Sequence, residues 1–192
     1  MASLWAVLLV ALAELGDKSQ VLALMLAMRY QRPGVLTLGM ATGVLVNHGL
    51  AAWLGTAAFA RLDAEIAHHG LAVAFLAMAL WLLWTGDEDE DDVAEGEGDG
   101  PLGASWLSAF GAAAGLFFLA EMGDKTQLMA LGLGARFESV LPVVLGSVTG
   151  VLLVNAPLFW GGQWLAARVS MVWARRGAAA LCLALAALTV WL

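Results

Sequence analysis

Residues 13–20 read Ala-Glu-Leu-Gly-Asp-Lys-Ser-Gln, and residues 120–127 read Ala-Glu-Met-Gly-Asp-Lys-Thr-Gln. The same shift of 107 residues pairs, without a gap, Arg29 with Arg136, Gly39 with Gly146, Thr42 with Thr149, Gly43 with Gly150, Trp53 with Trp160 and Arg61 with Arg168. Self-similarity of this kind marks a duplicated architecture. Both acidic copies are set inside long apolar stretches, and a fold for this chain has to give those charges a shared interior.

The solvent around that interior is lipid. Of the 192 residues 61% are hydrophobic and 13% charged, with a mean hydropathy of +0.83, which is not the composition of a water-soluble surface. At about 20 apolar residues per crossing, spans are predicted near 2–28, 34–60, 66–86, 105–135, 139–165 and 172–192. The apolar runs are continuous and lack the alternation of barrel strands, so the predicted fold class is all-α: an integral membrane protein with six transmembrane helices. Trp5, Trp81, Trp84, Trp106, Trp164, Trp173 and Trp191 fall near the predicted span ends, as interfacial anchors do. No positive charge precedes the first apolar run, and Glu14 and Asp17 interrupt it, so it reads as a retained membrane helix rather than a secretory leader.

Three units follow: a three-helix repeat over 1–86, an acidic linker over 87–104, and a second three-helix repeat over 105–192. Three crossings is an odd number, so the second repeat enters the membrane inverted relative to the first, an arrangement common among secondary transporters. The loop charges Arg29, Arg32, Arg168, Arg175 and Arg176 outweigh Arg61 and Arg136, which predicts both termini outside and the linker in the cytoplasm. Nine of the sixteen acids lie between Asp87 and Asp99, and they account for the net charge of -7. That run reads as a solvated linker, with a cation-collecting mouth as the sharper alternative. The nine Lys and Arg form no basic stripe, so nucleic acid is not a partner, and a single cysteine, Cys182, excludes a disulfide scaffold. Nothing in the composition forbids an oligomer.

Glu14 and Asp17, like Glu121 and Asp124, are three residues apart and share a helix face. At roughly 3 kcal/mol per charge, these four acids with Lys18 and Lys125 would cost on the order of 15–20 kcal/mol if exposed to lipid. They therefore face one another, water or an ion. Four carboxylates against two ammonium groups leave two negative charges, which one divalent cation neutralises. Hard oxygen donors suit Mn²⁺, Ca²⁺ or Mg²⁺. The competing reading is a structural lock in which Glu14 pairs with Lys18, and Glu121 with Lys125.

Around the acids, Gln20 and Gln127 are candidate metal ligands on the same face, or interhelical hydrogen-bond donors. Ser19 and Thr126 add neutral oxygens. Gly16 and Gly123 mark a kink or unwinding that frees backbone carbonyls, or close packing. Gly39 and Gly43, like Gly146 and Gly150, form small-residue pairs that read as helix packing. His48 and Asn155 are equivalent under the repeat, with Asn47 beside the former; either a proton relay or neighbouring shell, or plain interhelical hydrogen bonding, fits them. Thr42 and Thr149 are open in the same way.

The two Glu-x-Gly-Asp-Lys-Ser/Thr segments, one per three-helix repeat with a hydrophilic linker between, resemble the Gdt/MneA-type cation:proton antiporters, which include bacterial manganese exporters and Golgi manganese/calcium transporters. The resemblance spans essentially the whole chain. It implies that Glu14, Asp17, Glu121 and Asp124 handle metal and protons, with Lys18, Ser19, Lys125 and Thr126 completing the segments. It also implies export of a divalent cation, Mn²⁺ ahead of Ca²⁺, against protons by alternating access, with the cation as cargo and no cofactor. A prokaryotic-type member in the plasma membrane is expected. The rival classes are an amino-acid exporter, an intramembrane aspartyl hydrolase and a non-transporting membrane scaffold.

Overall fold

The computed structural model describes residues 1–61, 64–84, 105–161 and 171–191. The acidic linker, Trp164, Arg168 and the ends of several predicted spans lie outside the described residues. Those described form eight helices and no strand: α1 (Ala2–Glu14), α2 (Lys18–Tyr30), α3 (Pro33–Phe59), α4 (Ala64–Trp84), α5 (Trp106–Ala120), α6 (Lys125–Phe137), α7 (Val140–Gly161) and α8 (Met171–Trp191).

Shifting α2 by 107 residues gives the bounds of α6, and shifting α4 gives those of α8. The capping backbone repeats as well. Gly16 and Gly123 have φ of 79° and 78°, and Gln31 and Glu138, which end α2 and α6, have φ of 51° and 47°. The duplicated sequence thus produces duplicated local structure down to individual left-handed residues.

The kink or unwinding expected at Gly16 and Gly123 falls inside the first and fourth predicted spans, 2–28 and 105–135. Each is two helices, separated at the acidic segment, because glycine in the left-handed region ends a helix at that point. A 13-residue piece is about 20 Å long, short of the about 30 Å of a bilayer core. α5 and α6 meet at a bend of 74°. Among the described residues α3 and α7 are each long and apolar enough to cross a membrane alone, and the bent α5–α6 pair makes a third candidate.

The two halves interleave. α1 packs chiefly on α7, α3 on α5 and α6, α4 on α8, and α3 meets α7. The small-residue pairs explain how the backbones come so close. A Cβ on Gly39 would sit 2.5 Å from Phe110 O and 2.7 Å from Ala113 Cβ, and one on Gly43 would run into Ala114 O. On the other side of the molecule a Cβ on Gly146 would meet Ser3 O at 2.5 Å, and one on Gly150 would meet Ala11 N and Val7 O at 3.0 Å. Gly39, Gly43, Gly146 and Gly150 are packing positions, matched by small residues on the facing helix.

Large apolar side chains line the outside of the bundle. Leu38, Leu50, Trp53, Leu141, Leu153 and Trp160 are exposed, while Glu14, Asn47, His48, Glu121, Ser147 and Asn155 are buried. That inside-out distribution is expected of a protein whose surroundings are hydrocarbon.

Candidate metal centre

Each helix break delivers two carboxylates to the interior. Glu14 ends α1 and Glu121 follows α5, while Asp17 and Asp124 stand at the N-caps of α2 and α6. An Asp at an N-cap ordinarily accepts a hydrogen bond from the first turn of its own helix. Neither Asp17 nor Asp124 makes such a side-chain cap bond. Among the described residues Asp17 Oδ2 has no hydrogen-bond partner, whereas Asp124 Oδ2 accepts from Thr126 Oγ1 at 3.4 Å, and both carboxylates stand where the positive end of the helix dipole favours a negative charge.

The lysines do not pair with the glutamates one turn away. Lys125 Nζ lies 3.0 Å from Asp17 Oδ1, and Lys18 Nζ lies 3.6 Å from Asp124 Oδ1, so each break is neutralised by the lysine of the other. The lock Glu14–Lys18 and Glu121–Lys125 is overturned by this exchange. It is a consequence of the break: with the helix interrupted, Lys18 is no longer one turn above Glu14 on a common face.

Each glutamate meets one partner from its own half and one from the other. Ser19 Oγ donates across the break to Glu14 Oε2 at 2.6 Å, and Thr126 Oγ1 donates to Glu121 Oε2 at 2.5 Å. From the long helix of the opposite half, Asn155 Nδ2 donates to Glu14 Oε2 at 2.9 Å, and His48 Nε2 lies 3.6 Å from Glu121 Oε2. His48 and Asn155, equivalent in sequence, are equivalent in place as well.

One carboxylate oxygen from each of Glu14, Asp17 and Asp124 lies within 4.8 Å of the others. Glu121 is the fourth predicted acid and is not part of this group; its carboxylate is turned to Thr126 and His48. Gln127 is committed elsewhere, since its Oε1 accepts from Gly123 N at 2.7 Å and braces the turn. Gln20 sits partly buried in the first turn of α2. Thr42 and Thr149 are not brought to the acids. Both are exposed on the outer faces of α3 and α7, with hydroxyls bonded to the carbonyls of Leu38 and Leu145 one turn back at 2.8 and 2.7 Å.

Among the described residues several buried polar atoms have no hydrogen-bond partner: Glu14 Oε1, Asp17 Oδ2, Asn47 Oδ1, Asn155 Oδ1 and both nitrogens of His48. Buried acceptors without donors are costly. Four of these atoms are oxygens, two from carboxyl groups and two from amides, a donor set that could hold a hard cation. Ca²⁺–oxygen distances of about 2.3–2.6 Å place opposed ligands about 4.6–5.2 Å apart, so the three-carboxylate group has the span of a single dication's ligand shell.

Asn47 does more than the sequence indicates. Its Nδ2 donates at 3.0 Å to Phe118 O, a carbonyl in the last turn of α5, where the break leaves helix carbonyls without their usual partners. Ser147, buried on α7 with an unpartnered hydroxyl, carries no signal in the sequence, because a lone Ser after Gly146 reads as one more small packing residue.

Residues 2–90 and 109–192 match the family described as "Divalent cation/proton antiporter GDT1". A Vibrio cholerae protein named "Putative manganese exporter" is 37% identical over 183 residues, covering 95% of this chain and 86% of its own. "GDT1-like protein 5" of Arabidopsis thaliana is 32% identical over 188 residues, 83% of this chain and 82% of its own. "GDT1-like protein sll0615" of Synechocystis is 28% identical over 175 residues, 85% and 84%. No solved structure matches the chain. The chain belongs to the GDT1 family of divalent cation/proton antiporters.

Proposed function

We propose that this protein exports a divalent cation, Mn²⁺ first, in exchange for protons by alternating access in the plasma membrane. The observation that carries the reading is the convergence of Glu14, Asp17 and Asp124 within 4.8 Å at the two helix breaks, with buried oxygens of Glu14 and Asp17 left without a hydrogen-bond partner among the described residues. The family supplies the exchange with protons, and the name of the Vibrio cholerae relative supports manganese. Ca²⁺ is the second reading, favoured by the 4.8 Å span, which suits its longer bonds to oxygen.

In this reading each half, 1–86 and 105–192, contributes three crossings, a broken one and two whole ones, in opposite orientations, with both termini outside and the linker 87–104 cytoplasmic. Repetition of helix bounds and caps at the 107-residue shift supports the duplication, and the odd number of crossings supports the inversion.

The lysines act as tethered cations. With no dication bound, Lys125 holds Asp17 and Lys18 holds Asp124 across the boundary between the halves. An arriving dication takes over those carboxylates and frees the ammonium groups, which loosens the tie between the halves and lets them rock. Protons from outside then neutralise the carboxylates and release the metal, since cation and proton compete for the same oxygens.

The test is uptake of Mn²⁺ and of Ca²⁺ into inside-out vesicles loaded with acid. Wild type accumulates the cation while the lumen loses acid, and Glu14→Gln abolishes both fluxes. Normal exchange by Glu14→Gln and Asp124→Asn overturns the assignment of the site.

A further inference from the structure

The three-carboxylate group is one-sided. It takes Glu14 from α1, Asp17 from the first break and Asp124 from the second, and leaves Glu121 out. Around Glu14 the partner from the opposite half is Asn155; around Glu121 it is His48. The repeat therefore places different chemistry at two equivalent positions, an amide beside Glu14 of the gathered acids and an imidazole beside the acid that stands apart.

Asn155 is fully buried on α7. Its Nδ2 is used twice, at 2.9 Å on Glu14 Oε2 and at 3.3 Å on Val151 O, which fixes the amide plane. Its Oδ1 has no hydrogen-bond partner among the described residues. Glu14 shows the same division: Oε2 accepts from Ser19 and Asn155, while Oε1 is unpartnered. In Asp17, Oδ1 meets Lys125 and Oδ2 is unpartnered. Three neighbouring groups thus each have one oxygen committed or one nitrogen spent on orientation, and one oxygen left free.

We propose that Asn155 Oδ1 is a direct, neutral oxygen ligand of the transported cation, and that the residue at this position sets which dications the site prefers. The proposal rests on the reading of Glu14, Asp17 and Asp124 as the cation site and adds a fourth donor from α7. An all-oxygen shell of three carboxylates and one amide carbonyl favours hard ions; an imidazole in its place favours Zn²⁺ and its neighbours. Position 48 demonstrates that this chain accommodates a buried imidazole beside a glutamate of the opposite half.

Purified protein titrated calorimetrically with Mn²⁺, Ca²⁺ and Zn²⁺ tests the proposal. In Asn155→His the preference for Zn²⁺ over Ca²⁺ rises by about tenfold or more, the size of effect that changes in a metal's surroundings produce. Asn155→Asp keeps the size of the side chain and adds a charge at the ion, so at alkaline pH it binds Mn²⁺ more tightly than wild type. If Asn155 served only to hold Glu14 through Nδ2, Asn155→Asp would set two carboxylates against each other and weaken Mn²⁺ at every pH, and that result overturns the proposal. So does an unchanged Zn²⁺ to Ca²⁺ ratio in a folded Asn155→His protein; where that variant does not fold, Asn155→Asp decides. Wild type that binds none of the three metals removes the transport reading and this assignment together, whereas wild-type binding with indifferent variants removes this assignment alone.

Discussion

Lys125 Nζ lies 3.0 Å from Asp17 Oδ1, so a lysine encoded in the second half of the chain neutralises an acid of the first. The side chains are 14% and 3% exposed, which leaves little water to screen the pair. Its reciprocal, Lys18 to Asp124 at 3.6 Å, is more open, with Lys18 36% exposed. The two ties are equivalent in sequence and unequal in burial.

Removing the buried tether separates binding from turnover. Lys125→Gln is expected to bind Mn²⁺ about tenfold more tightly, because no ammonium competes for Asp17, and to exchange it more slowly. Lys18→Gln shows a smaller effect in the same direction. Calorimetry and vesicle flux on the same preparations measure both, and weaker binding by Lys125→Gln contradicts the role given to the lysine.

The acids divide unequally. Glu14→Gln and Asp17→Asn are each expected to lower Mn²⁺ affinity at least about 100-fold, the order seen when metal surroundings are disrupted. Glu121→Gln, outside the three-carboxylate group, is expected to retain binding within a few fold and to lose exchange. Equal loss of binding in all three variants would contradict the geometry.

Much of this site was legible in the sequence. The acids and lysines announce themselves as charges within apolar runs, and the 107-residue shift predicts that His48 and Asn155 hold equivalent places. Pairing was not legible: i, i+4 spacing points Lys18 to Glu14, and only the left-handed backbone at Gly16 and Gly123 redirects each lysine to the other half. A one-dimensional pattern specifies the face of an unbroken helix and says nothing of where the face turns once the helix breaks. The same reason hid the division between Glu121 and the other acids, and the use of Asn47 on Phe118 O. Thr42 and Thr149 stay open in the sequence because a hydroxyl in an apolar span fits either a functional place or a bond to its own helix, and in the structure each bonds a carbonyl one turn back.

The break at Gly123 is held by backbone conformation rather than by packing. Gly123 has φ of 78° with nothing within 4 Å of an added Cβ, so Gly123→Ala meets no steric obstacle and incurs only the left-handed backbone penalty of about 1–2 kcal/mol. Lower thermal stability with reduced Mn²⁺ affinity is expected, since the turn sets Glu121 and Asp124. Unchanged stability and flux in Gly123→Ala would mean that the break is dispensable.

The glycine pairs give a sharper contrast. Gly39→Ala forces α3 away from Phe110 O and Ala113, and a marked loss of folded protein in detergent is expected. Gly34→Ala and Gly49→Ala, on the same helix with open space at the added methyl, are expected to behave as wild type. Chromatographic monodispersity compares the three.

Binding should also release protons. Mn²⁺ displaces any proton held by the carboxylates it occupies, so its apparent affinity falls as the pH falls. Calorimetric heats that vary with the ionisation enthalpy of the buffer measure the number released, and buffer-independent heats would contradict competition at a common site.

The central claim is that one dication sits between the two helix breaks, on Glu14, Asp17 and Asp124. Anomalous scattering from Mn²⁺ in crystals of the protein tests it most directly. The account predicts a single strong peak in contact with those three carboxylates, with Lys125 withdrawn from Asp17. A peak lodged instead between Glu121 and His48, or no peak while Lys125 keeps its grip on Asp17 at saturating Mn²⁺, contradicts it.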